Sequence, residues 1–506
     1  MTALDSRALL AALYDAAVQG AAPFPCTRDA VARWCGAHAV NDRTRVHVIA
    51  TGKASPAMMA GALAALHACS ARIVGTIVVA AHDPVATDWF GVSRPATMRV
   101  MRGDHPVPGP ASLDAADAID DALLAIEPGD VALVLISGGT TALCAAPIAA
   151  LAQHVGDADR AQAIVAQLAS TLLGSGLAIH EMNAIRRRLL RFGAGRLAVQ
   201  LAHRGATHIG AFAISDVIGD DPSVIGSGPC SPDPFDDATF LALVDAHGLR
   251  DQLDRREAEA LGLLGTSTPP AVPLPSHEAF TRVTYEVVSG NRAATAAMAR
   301  AASAHGIDTV LVDEQPIEGE ADGVGVALAQ RALALAPTLP TGRRALLVSG
   351  GEPVVHLTAL EHAALERAYE AHLANESPDA SVFDHDDPDD VPHRFVPVDP
   401  MRGGRMQVVA LSAALQLEAS AAKGDRFAWQ ITMLAAGTDG RDGPTDAAGA
   451  IVDAAVPALA RRHGRSPDDD LLNGRSWYAL EAASALLKPG PTGTNVMDVV
   501  GILIRG

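Results

Sequence analysis

Short apolar runs rich in Val and Ile alternate along this chain with longer runs rich in Ala and Leu. In the first half, buried strands are predicted for RVHVIA, RIVGTIVVA, ALVLI and HIGAFAI, and helices for SPAMMAGALAALHA and TALCAAPIAALAQ. The second half shows the same alternation. Strands are predicted for RVTYEVVS, DTVLV, RALLVSG and WQITMLA, and helices for RAATAAMARAASAH and ADGVGVALAQRALAL. Strands alternating with helices predict an α/β fold, with mainly parallel sheets flanked by helices in Rossmann-like layers.

The length of the chain predicts more than one domain. Its 506 residues exceed what a single hydrophobic core usually serves. The Pro- and Ser-rich stretch Gly265–Ser276 is the best candidate boundary, which predicts two α/β domains over 1–265 and 280–506. Within an acidic segment over about 358–400, the charge and prolines of Asn375–Pro400 predict an exposed loop. The first 20 residues predict an amphipathic helix rather than a signal peptide.

Composition narrows the class of partner. The formal net charge of −19 disfavours nucleic acid and anionic lipid as partners, because an acidic surface repels both. The five cysteines form no C-x-x-C pair, and their odd number argues against a disulfide framework, so we expect a cytoplasmic protein. Val131–Ala152 is the most membrane-like stretch, but its glycines and threonines fit a buried strand, turn and helix better than a membrane span.

Two Ser-Gly-Gly turns follow predicted strands. Ser137-Gly138-Gly139-Thr140 ends the run VALVLI, and Ser349-Gly350-Gly351 ends the run ALLV. In an open α/β sheet, ligands bind where strands turn into helices, and glycine lets the backbone approach an anion. The alternative for each turn is a tight connection without a ligand.

A lysine occupies a comparable place near the N-terminus. Lys53 follows Gly52 at the end of a predicted strand and precedes a predicted helix. A lysine there can place its charge on a phosphate or on a developing anion. The segment is not a Walker A loop, because His47 stands where that motif requires glycine. A solvated lysine without a function is the alternative.

Two loops after predicted strands are acidic. The first contains Asp216, Asp220 and Asp221, and the second contains Asp439, Asp442 and Asp446. Carboxylates in a loop suit Mg²⁺, which takes one or two of them together with water and phosphate oxygens. Turn formation and helix capping are the commoner uses of aspartate in such loops.

Arginines collect in two places in this otherwise acidic chain. NAIRRRLLRFGAGR contains Arg186, Arg187, Arg188, Arg191 and Arg196, of which we expect one or two at most to bind a ligand. DPMRGGRMQ places Arg402 and Arg405 around a pair of glycines. GAGRLA, at 193–198, matches a dinucleotide-binding pattern, but RRRLLRF before it does not read as a buried strand, so we interpret the match as accidental.

Taken together, these segments resemble the class II glycerate kinases, which join a glycerate kinase domain to a C-terminal region called MOFRL. The resemblance covers nearly the whole chain and depends on the order of GKASPAM, GDHPVPGPAS, LISGGTTAL, ISDVIGDDPSVIGSGP, SGGEPVV, RGGR, GTDGRDGPTDAAGAIVD and GPTGTNV. It implies transfer of a phosphoryl group from ATP to D-glycerate with Mg²⁺, giving 2-phosphoglycerate. It also implies two α/β domains with the active site in a cleft between them, and a MOFRL region over about 345–506.

Carried onto this sequence, the resemblance implies that Lys53 and Arg405 are catalytic and act on the transferring phosphoryl group. For such a kinase, we expect the turns and loops described above to supply the other contacts. Substrate would be held by Ser137, Gly138, Gly139, Thr140 and Arg187. Nucleotide would be held by Ser349, Gly350, Gly351, Glu352, Thr438, Thr492 and Asn495. Mg²⁺ would be held by Asp216 and Asp439.

Two other functions are open at this stage. Relatives of this family often carry the name hydroxypyruvate reductase, which would require an NAD(P)H site. A non-enzymatic module that binds a sugar phosphate would use the Ser-Gly-Gly turns but would not need two acidic loops. For the kinase, the expected partners are glycerate and ATP, and the sequence leaves a homodimer open.

Overall fold

The structure is a computed structural model that describes residues 3–81, 89–105, 107–173, 175, 177, 179–265, 267–355 and 401–506. The acidic segment over 358–400 therefore lies outside the described residues. The chain divides into two compact units. The N-terminal unit comprises residues 22–290 and 493–496, and the C-terminal unit comprises the residues up to 21, 291–492 and 497–506.

The N-terminal unit is built on a six-stranded sheet in the order β3-β2-β1-β4-β5-β6, in which every pairing is parallel. The strands are β1 Arg45–Thr51, β2 Arg72–Ala80, β3 Arg99–Arg102, β4 Val131–Ile136, β5 His208–Ile214 and β6 Val283–Ser289. The helices are α2 Pro23–Ala37, α3 Ser55–Ala68, α4 Pro110–Leu123, α5 Thr140–Leu143, α6 Ala149–Val155, α7 Ala158–Leu173, α8 Ile179–Arg186, α9 Arg196–Arg204, α10 Asp237–Ala246, α11 Leu249–Gln252 and α12 Arg255–Ala260, with α1 described below.

The central strands of this sheet are apolar throughout because helices cover both faces. On one face, Val134 and Ala211 pack in a core with Ile119 of α4 and Leu201 of α9. On the other, Phe212 meets the ring of Trp34 from α2 edge-on. Burial on both faces explains why the predicted strands read as continuous Val and Ile runs rather than as alternating patterns.

A helical layer follows β4, and here one predicted helix is broken. TALCAAPIAALAQ forms two short helices, α5 and α6, instead of one. Pro147 lies between them, and it lacks an N–H and cannot continue a helix. It forms an isolated antiparallel bridge with Leu190 instead. A separate core then joins α6, α7, α8, α10 and α12.

The C-terminal unit has a second six-stranded sheet, in the order β11-β10-β9-β12-β8-β7. The strands are β7 Thr309–Val312, β8 Arg344–Gly351, β9 Ile431–Gly437, β10 Gly449–Asp453, β11 Leu486–Leu487 and β12 Asp498–Arg505. The helices are α1 Ala3–Gly20, α13 Asn291–Ala304, α14 Ala321–Leu335, α15 Arg405–Ala422, α16 Val456–Arg462, α17 Pro467–Leu472 and α18 Ser476–Ala482.

The prediction of mainly parallel sheets is wrong for this second sheet. Only β7 and β8 pair in parallel, and the pairs that β12 makes with β8 and β9 and that β10 makes with β9 and β11 are antiparallel. The loop between β9 and β10 contains no helix to return the chain, so β10 runs back beside β9. The last strand, β12, inserts between β8 and β9 against both.

The two units also differ from the predicted domain ranges at both ends of the first domain. Helix α1 belongs to the C-terminal unit, where Tyr14 donates a hydrogen bond to the Gly437 carbonyl and Leu10 packs beside Gly501 of β12. Strand β6 lies after the Pro- and Ser-rich stretch yet completes the parallel sheet of the N-terminal unit. The apolar face of α1 and the pairing edge of β5 decide these placements, and neither is visible as a boundary in the sequence.

Within the described ranges, no helix combines the length and the apolar character that crossing a membrane requires. Val131–Ala152, the stretch that most resembled a span, consists of β4, the two short helices and their turns.

Candidate functional site

The first candidate site lies at the carboxyl edge of the parallel sheet. Thr51 and Ile136 are register partners at the ends of β1 and β4, so the turns that follow lie side by side. The Lys53 backbone N–H donates to the Gly138 carbonyl at 2.9 Å, and the Ala54 N–H donates to the Ser137 hydroxyl at 3.0 Å. These bonds join the two predicted turns and leave the Lys53 side chain exposed.

Two glycines make room at this edge. The Asp216 carboxylate, which follows β5, occupies the space that a Cβ on Gly138 would need. Gly139 has a φ of +86°, and a Cβ there would lie 3.2 Å from His105 Cδ2 and 3.3 Å from Lys53 Cγ. Lys53, His105, Gly138, Gly139 and Asp216 therefore form one cluster, which we call the Lys53 site.

The hydroxyl groups of this turn bond inward. The Thr140 hydroxyl donates to the Ser137 carbonyl at 2.8 Å and pairs with Thr51 Oγ1 at 3.0 Å. The Ser137 hydroxyl accepts from Ala54 N–H and lies 3.4 Å from the Thr51 carbonyl. Both residues are buried, so they shape the turn, whereas Gly138 and Gly139 between them are half-buried. Substrate binding by Ser137 and Thr140 stays a prediction.

The arginine cluster has several separate uses. Arg187 is 1% exposed, lies 2.6 Å from the Asp233 carboxylate and donates to the Ser223 carbonyl at 2.8 Å. Its burial lowers its pKa, and the charge of Asp233 opposes that shift. Arg188 pairs with Asp237, and Arg191 pairs with Asp117 and Asp120. The guanidinium of Arg187, predicted to bind substrate, is therefore already engaged by a buried carboxylate.

The second candidate site lies in the C-terminal unit, where β8, β9 and β12 meet. Asp498 begins β12 and is the register partner of both Gly351 and Gly437. Arg405, at the start of α15, donates to the Asp498 carboxylate from Nε at 2.6 Å and from Nη2 at 3.2 Å. Its Nη1 lies 2.9 Å from Glu352, which follows the second Ser-Gly-Gly turn. Arg405, Glu352, Asp442 and Asp498 are called the Arg405 site below.

Charges at the Arg405 site are out of balance, since three carboxyl groups surround one guanidinium. Burial raises the pKa of Asp498 to about 7, against the opposing charge of Arg405. Burial also raises the pKa of Asp442 to about 6, although backbone N–H groups partly stabilise its ionised form. For Arg405, burial acts to lower the pKa, but the attraction of Asp498 and Glu352 outweighs it and the pKa is raised. The guanidinium therefore stays charged, whereas Asp442 and Asp498 are harder to ionise than ordinary aspartates.

Asp442 also holds the start of α15. Its two carboxylate oxygens accept from the N–H groups of Met406 and Gln407 at 3.1 and 2.7 Å. The Gln407 amide is buried and donates to the Asp442 carbonyl and to Thr445 Oγ1. Fixing this helix start fixes Arg405, its first residue. The acidic loop thus serves, at Asp442, the capping role that was the alternative to metal binding.

Because folding raises the pKa values of Asp442 and Asp498, the free energy of unfolding should decrease as the pH rises from about 4 to about 7. In the folded chain Asp442 and Asp498 titrate at about 6 and about 7, whereas an unfolded aspartate titrates near ~4. In that window the folded state binds protons that the unfolded state has released, so the free energy of unfolding falls as pH rises. We expect the melting temperature to fall less steeply from pH 5 to pH 8 in Asp442→Asn than in the unaltered chain. Parallel slopes would contradict this assignment.

Hydroxyl groups predicted to bind nucleotide are engaged within the C-terminal unit. Ser349 bonds to the Asp313 carboxylate, Thr438 donates to the Met497 carbonyl, and Thr492 donates to the Thr438 carbonyl. Gly350 and Gly351 follow in β8, and Asn495 belongs to the short segment that groups with the N-terminal unit. Their role in nucleotide binding stays a prediction.

The two aspartates predicted to bind metal lie in different units. Asp216 is half-buried in the Lys53 site, and Asp439 is exposed and accepts a hydrogen bond from the Arg441 N–H. Across the described stretches of the chain, no group of three or more His, Cys, Asp or Glu residues forms a ready-made metal site.

Two residues of these sites were not singled out from the sequence. Asp498 is an acid directly before the apolar run VVGILI in the strand DVVGILIR, and this contrast is the signal that the sequence offers. His105 lies within a segment used only for the resemblance, and it is the fold that brings it beside Lys53.

Two family models match successive parts of the chain. Residues 9–262 match the family model described as a domain of unknown function, DUF4147. Residues 395–498 match the MOFRL family. The second match is shorter than the predicted MOFRL range of about 345–506.

Relatives match over most of their length. An Agrobacterium vitis protein with a provisional hydroxypyruvate reductase name is 30% identical, over 99% of this chain and 95% of its own. A protein of Thermotoga maritima named D-glycerate 2-kinase is 26% identical, over 91% of each chain. A protein of Pyrococcus horikoshii named glycerate 2-kinase is 28% identical, over 99% of this chain and 98% of its own.

A solved structure shares the fold. The crystal structure of a glycerate kinase from Thermotoga maritima superposes with a TM-score of 0.71 and covers 99% of both chains at 24% sequence identity. At this level of identity the match establishes the arrangement of strands and helices.

Proposed function

We propose that this chain, which belongs to the family with a DUF4147 domain, is a glycerate 2-kinase. In this chain a MOFRL region follows the DUF4147 domain. The enzyme would transfer a phosphoryl group from ATP to D-glycerate, at the 2-hydroxyl group, and release 2-phosphoglycerate and ADP. Curated relatives in Thermotoga maritima and Pyrococcus horikoshii carry the kinase name over nearly their full length. A cytoplasmic location suits ATP as substrate and five free cysteines.

One observation carries the proposal most directly, namely the exposed ammonium group of Lys53 beside two glycines at the carboxyl edge of the sheet. Because the two glycines carry no side chain, Asp216, His105 and the stem of Lys53 approach the backbone closely here, and ligands of open α/β sheets bind at this edge. In phosphoryl transfer, the substrate oxygen forms a bond to the γ-phosphorus while the bond to the β–γ bridging oxygen breaks. Catalysis depends mainly on positioning and on neutralising the phosphate oxygens, which a fixed lysine supports.

Arg405 is suited to the same task. Asp498 holds its Nε and Nη2 atoms, so the plane of the guanidinium is fixed. Its Nη1 atom contacts Glu352, whose side chain is 38% exposed and can turn aside. A phosphate oxygen could take the place of this carboxylate on Nη1, since both are anionic acceptors for the guanidinium. We propose that the Lys53 and Arg405 sites serve one reaction.

Mg²⁺ fits the residues at hand when it arrives with the nucleotide. Such an ion needs only one or two protein carboxylates, because phosphate oxygens and water complete its shell. Asp439 is exposed and forms no ion pair with any residue in the described ranges, and the Asp216 carboxylate lies against Gly138. When bound, the ion would offset phosphate charge, and each of these aspartates is a candidate for one carboxylate ligand.

A screen for ATP consumption tests the proposal. Purified protein is incubated with ATP, Mg²⁺ and either D-glycerate, tartronate, glycolate or hydroxypyruvate, and the phosphorylated product is identified by ³¹P NMR. We expect ADP formation with D-glycerate and a 2-phosphoglycerate signal. Oxidation of NADH with hydroxypyruvate, and no ADP with any of the four acids, would show a reductase instead.

Among the residues that the structure describes, no feature favours the reductase. The dinucleotide-like GAGRLA should follow a strand, but Arg187–Phe192 before it forms only turns, a bend and the isolated bridge at Leu190. The interpretation of this match as accidental agrees with that placement.

Gly138→Ala should impair turnover more than folding. The added methyl group meets the end of the Asp216 side chain, which can rotate away, so we expect the melting temperature to change little. Displacing the Asp216 carboxylate from its place against Gly138 should lower kcat/KM by about tenfold or more, because small errors of placement are costly in a catalytic site. The control is Gly36→Ala, whose methyl group would meet no neighbour. Equal kcat/KM values for both variants would contradict the prediction.

A further inference from the structure

Arg186 differs from its neighbours in having no acidic partner. Its Nε donates to Asn183 Oδ1 at 2.7 Å. No residue that the structure describes forms an ion pair with it or bonds to its Nη atoms. By contrast, Arg187, Arg188 and Arg191 each face a carboxylate. The fixed Nε and the two unbonded Nη atoms give Arg186 the donor set that binds a carboxylate with two parallel hydrogen bonds.

Burial makes this lack of a partner significant. Arg186 is partly buried, and burial lowers its pKa to about 10. Withdrawing a cation from water is unfavourable unless an opposite charge compensates it. The neighbouring Arg187 has such a compensating charge in Asp233, whereas Arg186 has none among the described residues. A negatively charged ligand would supply what this position lacks.

A chain of polar contacts runs from Arg186 to Thr141, at the start of the helix that follows the first Ser-Gly-Gly turn. Asn183 Oδ1 lies 3.4 Å from the Ser227 hydroxyl, which lies 2.9 Å from the Thr141 hydroxyl. Thr141 directly follows Thr140 of the first Ser-Gly-Gly turn. Ser227 adopts a φ of +64°, an uncommon conformation for serine, and the backbone at Gly226 packs against Thr140. The guanidinium is therefore held relative to the turn that carries the predicted substrate site.

We propose that Arg186 binds the carboxylate of a 2-hydroxy acid and thereby selects acids over neutral polyols. The assignment rests on the proposed kinase function for the identity of the acid. It moves the carboxylate contact from Arg187, whose guanidinium is engaged with Asp233, to the adjacent residue. Asn183 positions the guanidinium through Nε and leaves both Nη atoms to the ligand.

Calorimetry and kinetics on the full chain test this assignment. Binding of D-glycerate is measured for the unaltered chain, Arg186→Gln and Arg186→Lys, with Arg256→Gln as control because Arg256 is exposed on the same unit. For Arg186→Gln we expect affinity and KM for D-glycerate to worsen roughly 100-fold, while KM for ATP changes less than about threefold. Lysine should restore part of the loss. The preference for D-glycerate over its neutral amide should also collapse in Arg186→Gln.

The outcomes separate the two proposals. Tight binding of D-glycerate that requires Arg186, without any phosphoryl transfer, would support the carboxylate site and refute the kinase. Unchanged glycerate affinity in a folded Arg186→Gln variant, or a loss confined to ATP, would overturn the role of Arg186 and leave the kinase standing. If the unaltered chain neither binds nor phosphorylates D-glycerate, both proposals fail.

Discussion

Lys53→Ala is expected to lower kcat for D-glycerate phosphorylation by about 10² to 10³-fold, the usual effect of removing one well-placed stabilising group. The Lys53 side chain is exposed, and the hydrogen bond from its backbone N–H to the Gly138 carbonyl does not depend on the ammonium group. Folding and the melting temperature should therefore be unchanged. The measurement is steady-state ADP formation with D-glycerate, together with circular dichroism of the variant.

The chain offers a matched control for this prediction. Lys423 is exposed at the C-terminal end of α15, the opposite end of that helix from Arg405. Lys423→Ala should keep the turnover of the unaltered chain. If Lys53→Ala kept a turnover within a few-fold of that value, Lys53 would have no part in the chemistry.

Arg405→Ala is expected to lower both turnover and stability. Removing the guanidinium takes away a cation proposed to contact phosphate, and it leaves the carboxylate of Asp498, which is 3% exposed, without a partner. Breaking a buried pair in this way typically costs about 3–5 kcal/mol. Urea unfolding monitored by fluorescence measures the loss. Arg461→Ala, which breaks exposed pairs with Glu418 and Asp468, should cost at most about 1 kcal/mol.

A second substitution separates the two roles of Arg405. In Arg405→Ala/Asp498→Asn the unpaired charge is gone, so part of the lost stability should return, because amide burial is less unfavourable than carboxylate burial. Turnover should stay low, since the cation is still missing. Recovery of turnover along with stability would show that Arg405 has only a structural role.

Much of the secondary structure was predictable because local pattern and tertiary environment agree. HIGAFAI, SPAMMAGALAALHA and ADGVGVALAQRALAL form β5, α3 and α14 over the residues expected. The direction of strands in the second sheet was not predictable, because an apolar run such as DVVGILIR reads the same whether its neighbours are parallel or antiparallel. Alternation of strands and helices suggested parallel pairing, and the insertion of the C-terminal strand between β8 and β9 overrides it.

The candidate sites were predictable in position but not in orientation. Turns after adjacent parallel strands must lie at one edge, which is why Lys53 and Gly138 come together. Sequence does not tell which way a side chain turns at the end of a short helix. Arg186 and Arg187 are neighbours at the end of α8, yet one faces Asn183 and the other the buried Asp233. The hydroxyls of Ser137 and Thr140 likewise turn inward for reasons that only the packed turn reveals.

A double-mutant cycle on Lys53 and Arg405 tests most directly the claim that both sites serve one phosphoryl transfer. It compares kcat/KM for D-glycerate in the unaltered chain, Lys53→Ala, Arg405→Lys and the double variant. If both cations act on the same phosphoryl group, each single change should lower kcat/KM strongly, and the double variant should lose less than the product of the single losses, because groups that act together are not additive. A single variant with nearly normal kcat/KM would contradict the account.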